Sequence, residues 1–292
     1  MFLPYDANVF LMKSKETAPV RVSRTIEQRD NTDGFPKAAE LIEMKPSQEL
    51  SLQDGRIFNA LIENAVGSLG EDVEHEIAVM KLRGIKHKGS ERVRDSVKAL
   101  MSTLIEIPVV DANGLDAVLR TQLLTENTLT FNEDDPRAVL RYRLTPAVRK
   151  IVQDSKRWGR LKGFVVYAFS SKYALALYEA LAVRINLRKD EQFFTVEEFR
   201  RLLGVPDRKY PRFPQLRQWV LDPAVMEVNG LSDFMAEITP EREGGAVRGK
   251  LTGFTLRWRK KDRDEWKAAL DELSRPRVGR RERLGGTADR IV

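Results

Sequence analysis

The sequence predicts an α+β fold made of two tandem winged helix-turn-helix domains, and three observations carry that reading. Across residues 193–261 the order is a short helix, a basic turn, a second helix and two alternating strands. A helix-turn-helix pattern occurs a second time within residues 50–104, again around a basic turn and again followed by alternating strands. Lysine and arginine outnumber aspartate and glutamate by 50 to 43, and a surplus of +7 points first to a polyanion as partner. In a winged helix-turn-helix the second helix enters the DNA major groove and the hairpin forms the wing.

Taken in order, residues 1–48 mix Pro4, Pro19, Pro36 and Pro46 with scattered charge and weak periodicity. They read as an N-terminal arm, partly disordered or packed over the first domain. The first winged-helix domain is placed at 49–160. Phe58, Leu61, Ile62, Ala65 and Val66 form one helical stripe, which Gly67 and Gly70 end. Ile77, Val79, Met80 and Leu82 give a second helix, stopped by Gly84. After a basic turn Ser90 can cap a third, with Val93, Val97, Leu100, Met101 and Leu104 inward. Ile105, Ile107 and Val109 then alternate, as do Leu129 with Phe131, and Leu140, Tyr142 and Leu144. Thr145-Pro146 reads as an N-cap with proline at the first helical position, opening a helix with Val148, Ile151 and Val152.

The second winged-helix domain is placed at 161–262. Residues 164–169 are an apolar run that suits a strand or a docking segment. Ser171 opens a helix with Ala174, Leu177, Tyr178, Leu181 and Ile185 inward. Thr195-Val-Glu-Glu198 is a capping box, and Gly204 ends the short helix that carries Val196, Phe199, Leu202 and Leu203. The next helix starts near Pro214, with Leu216, Trp219, Val220, Val225 and Val228 at helical spacing. Pro223 inside it predicts a kink or break, with Asp222 capping a restart. Phe234, Ala236 and Ile238 alternate on one strand, Phe254, Leu256 and Trp258 on another, joined by a tip with Gly244, Gly245 and Gly249. Residues 263–292 add one helix and a tail holding Arg275, Arg277, Arg280, Arg281, Arg283 and Arg290, which reads as a mobile basic extension.

Composition excludes several classes. With no cysteine there is no disulfide scaffold, thiolate metal site or cysteine nucleophile, which fits a reducing cytosol. The first ten residues lack the basic start and apolar run of a signal peptide, and no stretch nears the ~18 apolar residues of a membrane span. The expectation is a cytoplasmic protein with no membrane partner. Gly244-Gly-Ala-Val-Arg-Gly249-Lys250 resembles a phosphate loop, but Leu251 stands where a hydroxyl must hold Mg²⁺ and the flanks read as two strands. The two histidines, His75 and His87, lie on different elements and cannot form the paired site that DNA nicking needs. Glu133, Asp134 and Asp135 read as a solvated turn. The sequence therefore predicts no catalytic residue, no metal site and no cofactor, and a protein that is not an enzyme.

What remains is the placement of positive charge. Residues 200–217 hold six basic side chains against Asp207 alone, and residues 81–98 hold seven against Glu91 and Asp95. Both clusters fall where a helix-turn-helix meets DNA, with phosphate contacts for affinity and arginine forks on guanine for sequence choice. The candidate DNA-binding residues are Arg208, Lys209, Arg212 and Arg217 in the second domain and Lys88, Ser90, Arg92, Arg94 and Lys98 in the first. Arg248 and Lys250 join them at the second wing, whose strands add Arg242, Arg257, Arg259, Lys260 and Lys261. A charged edge strand that merely prevents aggregation explains those wing residues equally well.

Four stretches resemble the iteron-binding, tandem winged-helix family of plasmid replication initiators. They are Ser171-Lys-Tyr-Ala-Leu-Ala-Leu-Tyr-Glu179, Phe199-Arg-Arg-Leu-Leu-Gly-Val-Pro206, Leu221-Asp-Pro-Ala-Val-Met-Glu-Val-Asn229 and Gly253-Phe-Thr-Leu-Arg-Trp-Arg-Lys260. Across residues 50–157 the resemblance rests on element order. Ala176 and Ala180 depart from it, standing where the family tends to have arginine and leucine. The resemblance implies a bacterial protein whose monomers bind direct repeats of a plasmid origin as double-stranded DNA, one winged helix per successive major groove. It also implies help in opening the origin, recruitment of host initiator and replicative helicase, and a homodimer, joined through the first domain, that represses its own gene. Two other readings stay open on residues alone. One is a winged-helix transcriptional regulator without a replication role, and the other is a scaffold whose winged helices bind protein.

Overall fold

The computed structural model describes residues 33–83, 91–110, 113–130, 132, 135–245 and 249–285. The first unit is built on α2 (Leu52–Asn64), opened by a capping box in which Ser51 Oγ accepts from Asp54 N at 3.1 Å and Asp54 accepts from Ser51 N at 2.7 Å. Next come β3 (His75–Ala78), α3 (Val79–Leu82), α4 (Glu91–Ser102), β4 (Leu104–Val110), β5 (Asp116–Gln122), β6 (Leu124–Leu129), β7 (Val139–Leu144) and α5 (Pro146–Asp154). Ile77 stands in a strand, not in the expected second helix. His75 and Ile77 turn inward from β3 with Glu76 between them pointing out, the period of an extended chain. Leu104, expected inward, is exposed, as is Met80 on α3. Thr145 caps α5 by accepting from Val148 N at 3.2 Å, with Pro146 at the first position.

Residues 33–48 do not lie outside the first unit. Strand β1 (Phe35–Ala38) pairs antiparallel with β8 (Trp158–Leu161), the short helix α1 (Ala39–Ile42) follows, and β2 (Lys45–Pro46) pairs with β4. All four residues of β1 are buried. Pro36 and Lys37 hide the strand from an apolar-alternation reading, because the Lys37 ammonium is satisfied by partners far along the chain.

The second unit contains α6 (Gly163–Ala168), α7 (Lys172–Arg184), β9 (Glu191–Thr195), α8 (Val196–Leu202), α9 (Phe213–Leu216), α10 (Asp222–Leu231), β10 (Phe234–Arg242) and β11 (Leu251–Lys260). The apolar run 164–169 is thus mostly helix. Inside the unit Phe194, Phe199, Phe213 and Phe254 stack at centroid distances of 5.0–6.1 Å. Their mutual contact fixes the sheet against α8 and α9.

The two sheets share one order. In the first unit it is β3-β7-β6 and in the second β9-β11-β10, antiparallel throughout. In each, the strand that precedes the short helix takes one edge, the hairpin's second strand the centre and its first strand the other edge. The three-stranded sheet β2-β4-β5 is an addition within the first unit. Two winged helices in tandem is therefore the architecture.

The expected break at Pro223 does not occur and Asp222 caps no restart, and the C-terminal tail also departs from its expectation. From α9 to α10 the backbone stays helical through Leu216, Arg217, Leu221 and Asp222, with a π-helical turn at Arg217–Leu221. Pro223 has no N–H and its ring crowds the carbonyl four residues back, at Trp219, and the wider turn there accommodates both. Asp222 caps nothing; it lies 3.3 Å from Arg217. The C-terminal segment also holds two helices rather than one. Helix α11 (Arg263–Ser274) carries Glu272, which accepts from Arg283 at 2.6 Å and Arg280 at 3.4 Å on α12 (Arg280–Leu284). Arg280 and Arg283 find a buried carboxylate, so part of the charge that reads as solvated in the sequence is a packing device here. Arg290 lies outside the described residues.

Candidate nucleic-acid interface

The turn between α8 and α9 is held before anything binds it. Thr195 caps α8 by accepting from Glu198 N at 3.2 Å, while Glu198 accepts from Thr195 N at 2.9 Å. Gly204 leaves the helix at φ +63°, where a side chain would be strained. Arg208 and Tyr210 then adopt φ of 69° and 52°. Non-glycine residues in that region cost on the order of 1–3 kcal/mol each, so something must hold them. Arg200 does so: its guanidinium donates to the carbonyls of Pro206 at 3.0 Å, Tyr210 at 3.1 Å and Lys209. Arg200, counted in the sequence as part of the basic cluster, is thus a clamp. Arg200→Ala is expected to lower stability by about 1.5–3 kcal/mol, the range for bonds to a charged group. The midpoint of urea unfolding measures this; an unchanged midpoint would show that the turn does not depend on the clamp.

That clamp presents Arg208, Lys209 and Arg212 to solvent around one turn, with Arg217 exposed farther along the same helix. Lys209 lies 3.5 Å from Glu49 and over the Tyr210 ring, and Arg217 faces Asp222. All these partners leave the cations at the surface, where such pairs are worth ~0–1 kcal/mol and exchange readily for phosphate. On the first unit α4 stands in the same relation to its sheet. Arg94 and Lys98 are four residues apart and share a face; Lys98 is exposed, Arg94 half-buried and engaged. Arg92 lies on α4 with its side chain outside the described residues, as are Lys88, Ser90 and Arg248 altogether. Lys250 is exposed at the tip of the second hairpin.

Most of the second wing's positive charge has a partner within the protein, though the exposed pairs of Arg257 and Arg259 are as exchangeable as that of Arg217. Arg257 binds Glu191 at 2.8 Å, Arg259 binds Glu265 at 2.6 Å, and Lys260 donates to Asn186 at 3.2 Å. Arg242 donates to Gly249 O at 2.7 Å and covers the Phe213 ring. Lys261 donates to the Asn229 carbonyl, and burial pulls its pKa down to about 8. Linear charge counting has no means to see these partners, which come from other elements.

One residue on the exposed face escapes the sequence reading. Trp219, expected inward, is 52% exposed, because Leu216, Val220 and Leu221 already fill the positions facing the sheet. It stands beside exposed Gln215, Arg217 and Gln218. The only sequence signal for it is that three adjacent positions, 219–221, compete for one inward stripe.

Among the described residues no cluster of three or more histidine, cysteine, aspartate or glutamate side chains could hold a metal ion, and no helix is long and apolar enough to cross a membrane. The geometry is that of a surface that binds by charge and shape.

Comparison with known proteins agrees with this architecture. No curated protein matches the chain. Among solved structures, the crystal structure of the Pi initiator protein in complex with iteron DNA superposes at a TM-score of 0.54 and 15% identity, covering 81% of this chain and 100% of that one. At such identity the likeness is one of fold. Residues 195–258 match the family profile described as initiator Rep protein, WH2, and residues 36–182 the profile described as initiator replication protein, WH1. The WH1 match takes in most of β1 and of α7, so it starts before and ends beyond the segment 49–160 expected for the first domain. By these two matches the chain belongs to the initiator replication protein family.

Proposed function

We propose that the chain is a plasmid replication initiator whose monomer binds direct repeats in a plasmid origin through both winged helices. The observation that carries this is the doubled architecture: two sheets of one strand order, each with a cation-bearing helix packed against it. One winged helix reads one stretch of major groove, and two in tandem read successive grooves about one helical turn apart. In this reading Arg208, Lys209, Arg212 and Arg217 provide the main readout, and Lys88, Ser90, Arg92, Arg94 and Lys98 provide the second. Arg248 and Lys250 track the phosphates from the wing. Trp219 joins them as an apolar contact for a thymine methyl. The Pi initiator, similar in fold, is seen on iteron DNA, which supports repeats of that class as the target.

Further along the same reading, adjacent copies on the repeats strain the neighbouring duplex and help it open, and host initiator and helicase are recruited. A homodimer joined through the first unit represses the gene that encodes it. No covalent chemistry is assigned to the protein, and it works in the bacterial cytoplasm. Footprinting on the parent plasmid's origin at two salt concentrations tests the reading. Regularly spaced protections that fade steeply with salt are expected; no protection anywhere in the origin would end it.

A further inference from the structure

The bend between α6 and α7 is gripped from three sides. The carbonyl of Tyr167 accepts from Arg56 on α2 at 3.0 Å and from Arg277 in the C-terminal segment at 2.6 Å. The carbonyl of Ala168 accepts from Arg280 at 3.3 Å, and that of Phe169 from Arg56 again. The next two amides face the opposite way and meet a carboxylate. Ser170 N and Ser171 N donate to Glu227 Oε2 at 2.8 and 3.3 Å, and the Ser170 hydroxyl donates to Oε1. Glu227 lies on α10, the continuation of the helix that bears Arg217 and Trp219. Arg56 lies on α2 of the other winged unit.

Five consecutive residues thus join the helix scaffold of one unit to the DNA-facing helix of the other. Both Arg56 and Glu227 are 7% exposed. Burying a guanidinium and a carboxylate is costly, and an apolar contact would hold two bodies together more cheaply. What directional bonds to backbone groups add is a single permitted orientation. Apolar packing alone permits sliding. Glu49 adds a surface tie, 2.7 Å from Lys172 and 3.5 Å from Lys209.

We propose that Arg56 and Glu227 are positioning residues that fix the stagger of the two DNA-facing helices and so set the half-site spacing the protein accepts. This rests on the DNA-binding reading above, and the test separates the two. The chain has no cysteine, so Asp95→Cys with Glu197→Cys, both at exposed positions, admits a spin label on each unit of the full-length protein. Without DNA, the parent should give one narrow distance distribution by pulsed electron resonance. Glu227→Gln and Arg56→Met should broaden it or add a second population. Arg56→Lys keeps the charge without the fork and should fall between, guarding against a variant that merely misfolds.

The second arm uses duplexes bearing the repeat protected in the footprint, intact or with one base pair inserted between its halves. The insertion rotates one half against the other by about 35°. The parent should bind the altered duplex more than about tenfold more weakly, the scale of one mismatched base pair, and the variants should discriminate markedly less. An unchanged distance distribution in both variants overturns the proposal. So does a broadened distribution with an undiminished insertion penalty. Should the parent bind no origin duplex at all, the DNA-binding reading falls, and with it the claim about spacing, while the distances still decide whether the bend fixes the units.

Discussion

Arg212→Ala combined with Arg217→Ala should weaken binding to the origin repeat by about 2–6 kcal/mol, taking 1–3 kcal/mol for each arginine that contacts a base. Fluorescence anisotropy on the footprinted repeat measures it. The two effects add because the residues stand on different turns and have no partner in common among the described residues. Neither holds the fold. Arg212 is exposed, and among the described residues Arg217 meets the exposed Asp222, so the unfolding free energy should stay within about 0.5 kcal/mol of the parent. The salt dependence separates phosphate binding from base readout. Its slope becomes shallower by about one for each phosphate no longer neutralised, and removing a pure base contact leaves it unchanged. Trp219→Ala carries no charge change and should reduce preference for the repeat over random duplex at constant slope. If binding to the repeat survives the double substitution intact, the DNA-facing surface lies elsewhere on the chain.

The parts of this surface that are legible in the sequence are those that depend on neighbours in the chain. Thr195 and Glu198 form their capping box three residues apart, Gly204 takes its positive φ at once after α8, and Thr145-Pro146 begins α5. Such local rules need no tertiary information. What stays hidden depends on partners at a distance. Arg257 and Arg259 look unpartnered until Glu191 and Glu265 arrive from other elements. Arg280 and Arg283 look solvated until α11 places Glu272 beside them. Trp219 fits an inward stripe in an ideal helix, and only the π turn at Arg217–Leu221 and the filling of that stripe by Val220 and Leu221 leave it outside. Charge and apolar pattern name the surface; which cations remain unclaimed on it is a tertiary fact.

The same logic at its most severe governs Lys37, and the largest stability effect expected of any single substitution lies with its partner. Lys37 Nζ on β1 meets Glu179 on α7 at 3.0 Å and Asn59 on α2 at 3.0 Å, and Asn59 also donates to Glu179 at 2.6 Å. The ammonium also lies 4.9 Å from the centre of the Phe58 ring, and all three polar groups are buried. Glu179→Ala would strand a buried ammonium with one amide oxygen, at a cost of about 3–5 kcal/mol. Against a typical total of about 5–15 kcal/mol that is enough to depopulate the native state on modest heating. Lys37→Met removes the charge with its stem retained, and in combination with Glu179→Leu should cost less than Glu179→Ala alone, because no unpaired ion then remains. Urea unfolding of Lys37→Met, Glu179→Leu and the double variant gives the coupling directly. Because β1 pairs with β8 and contributes this lysine, opening the cluster should also release the N-terminal edge to hydrogen exchange before the rest of the first unit. A cost for Glu179→Ala below about 1 kcal/mol would mean that water reaches the ammonium and that the segment is held by its strand pairing alone.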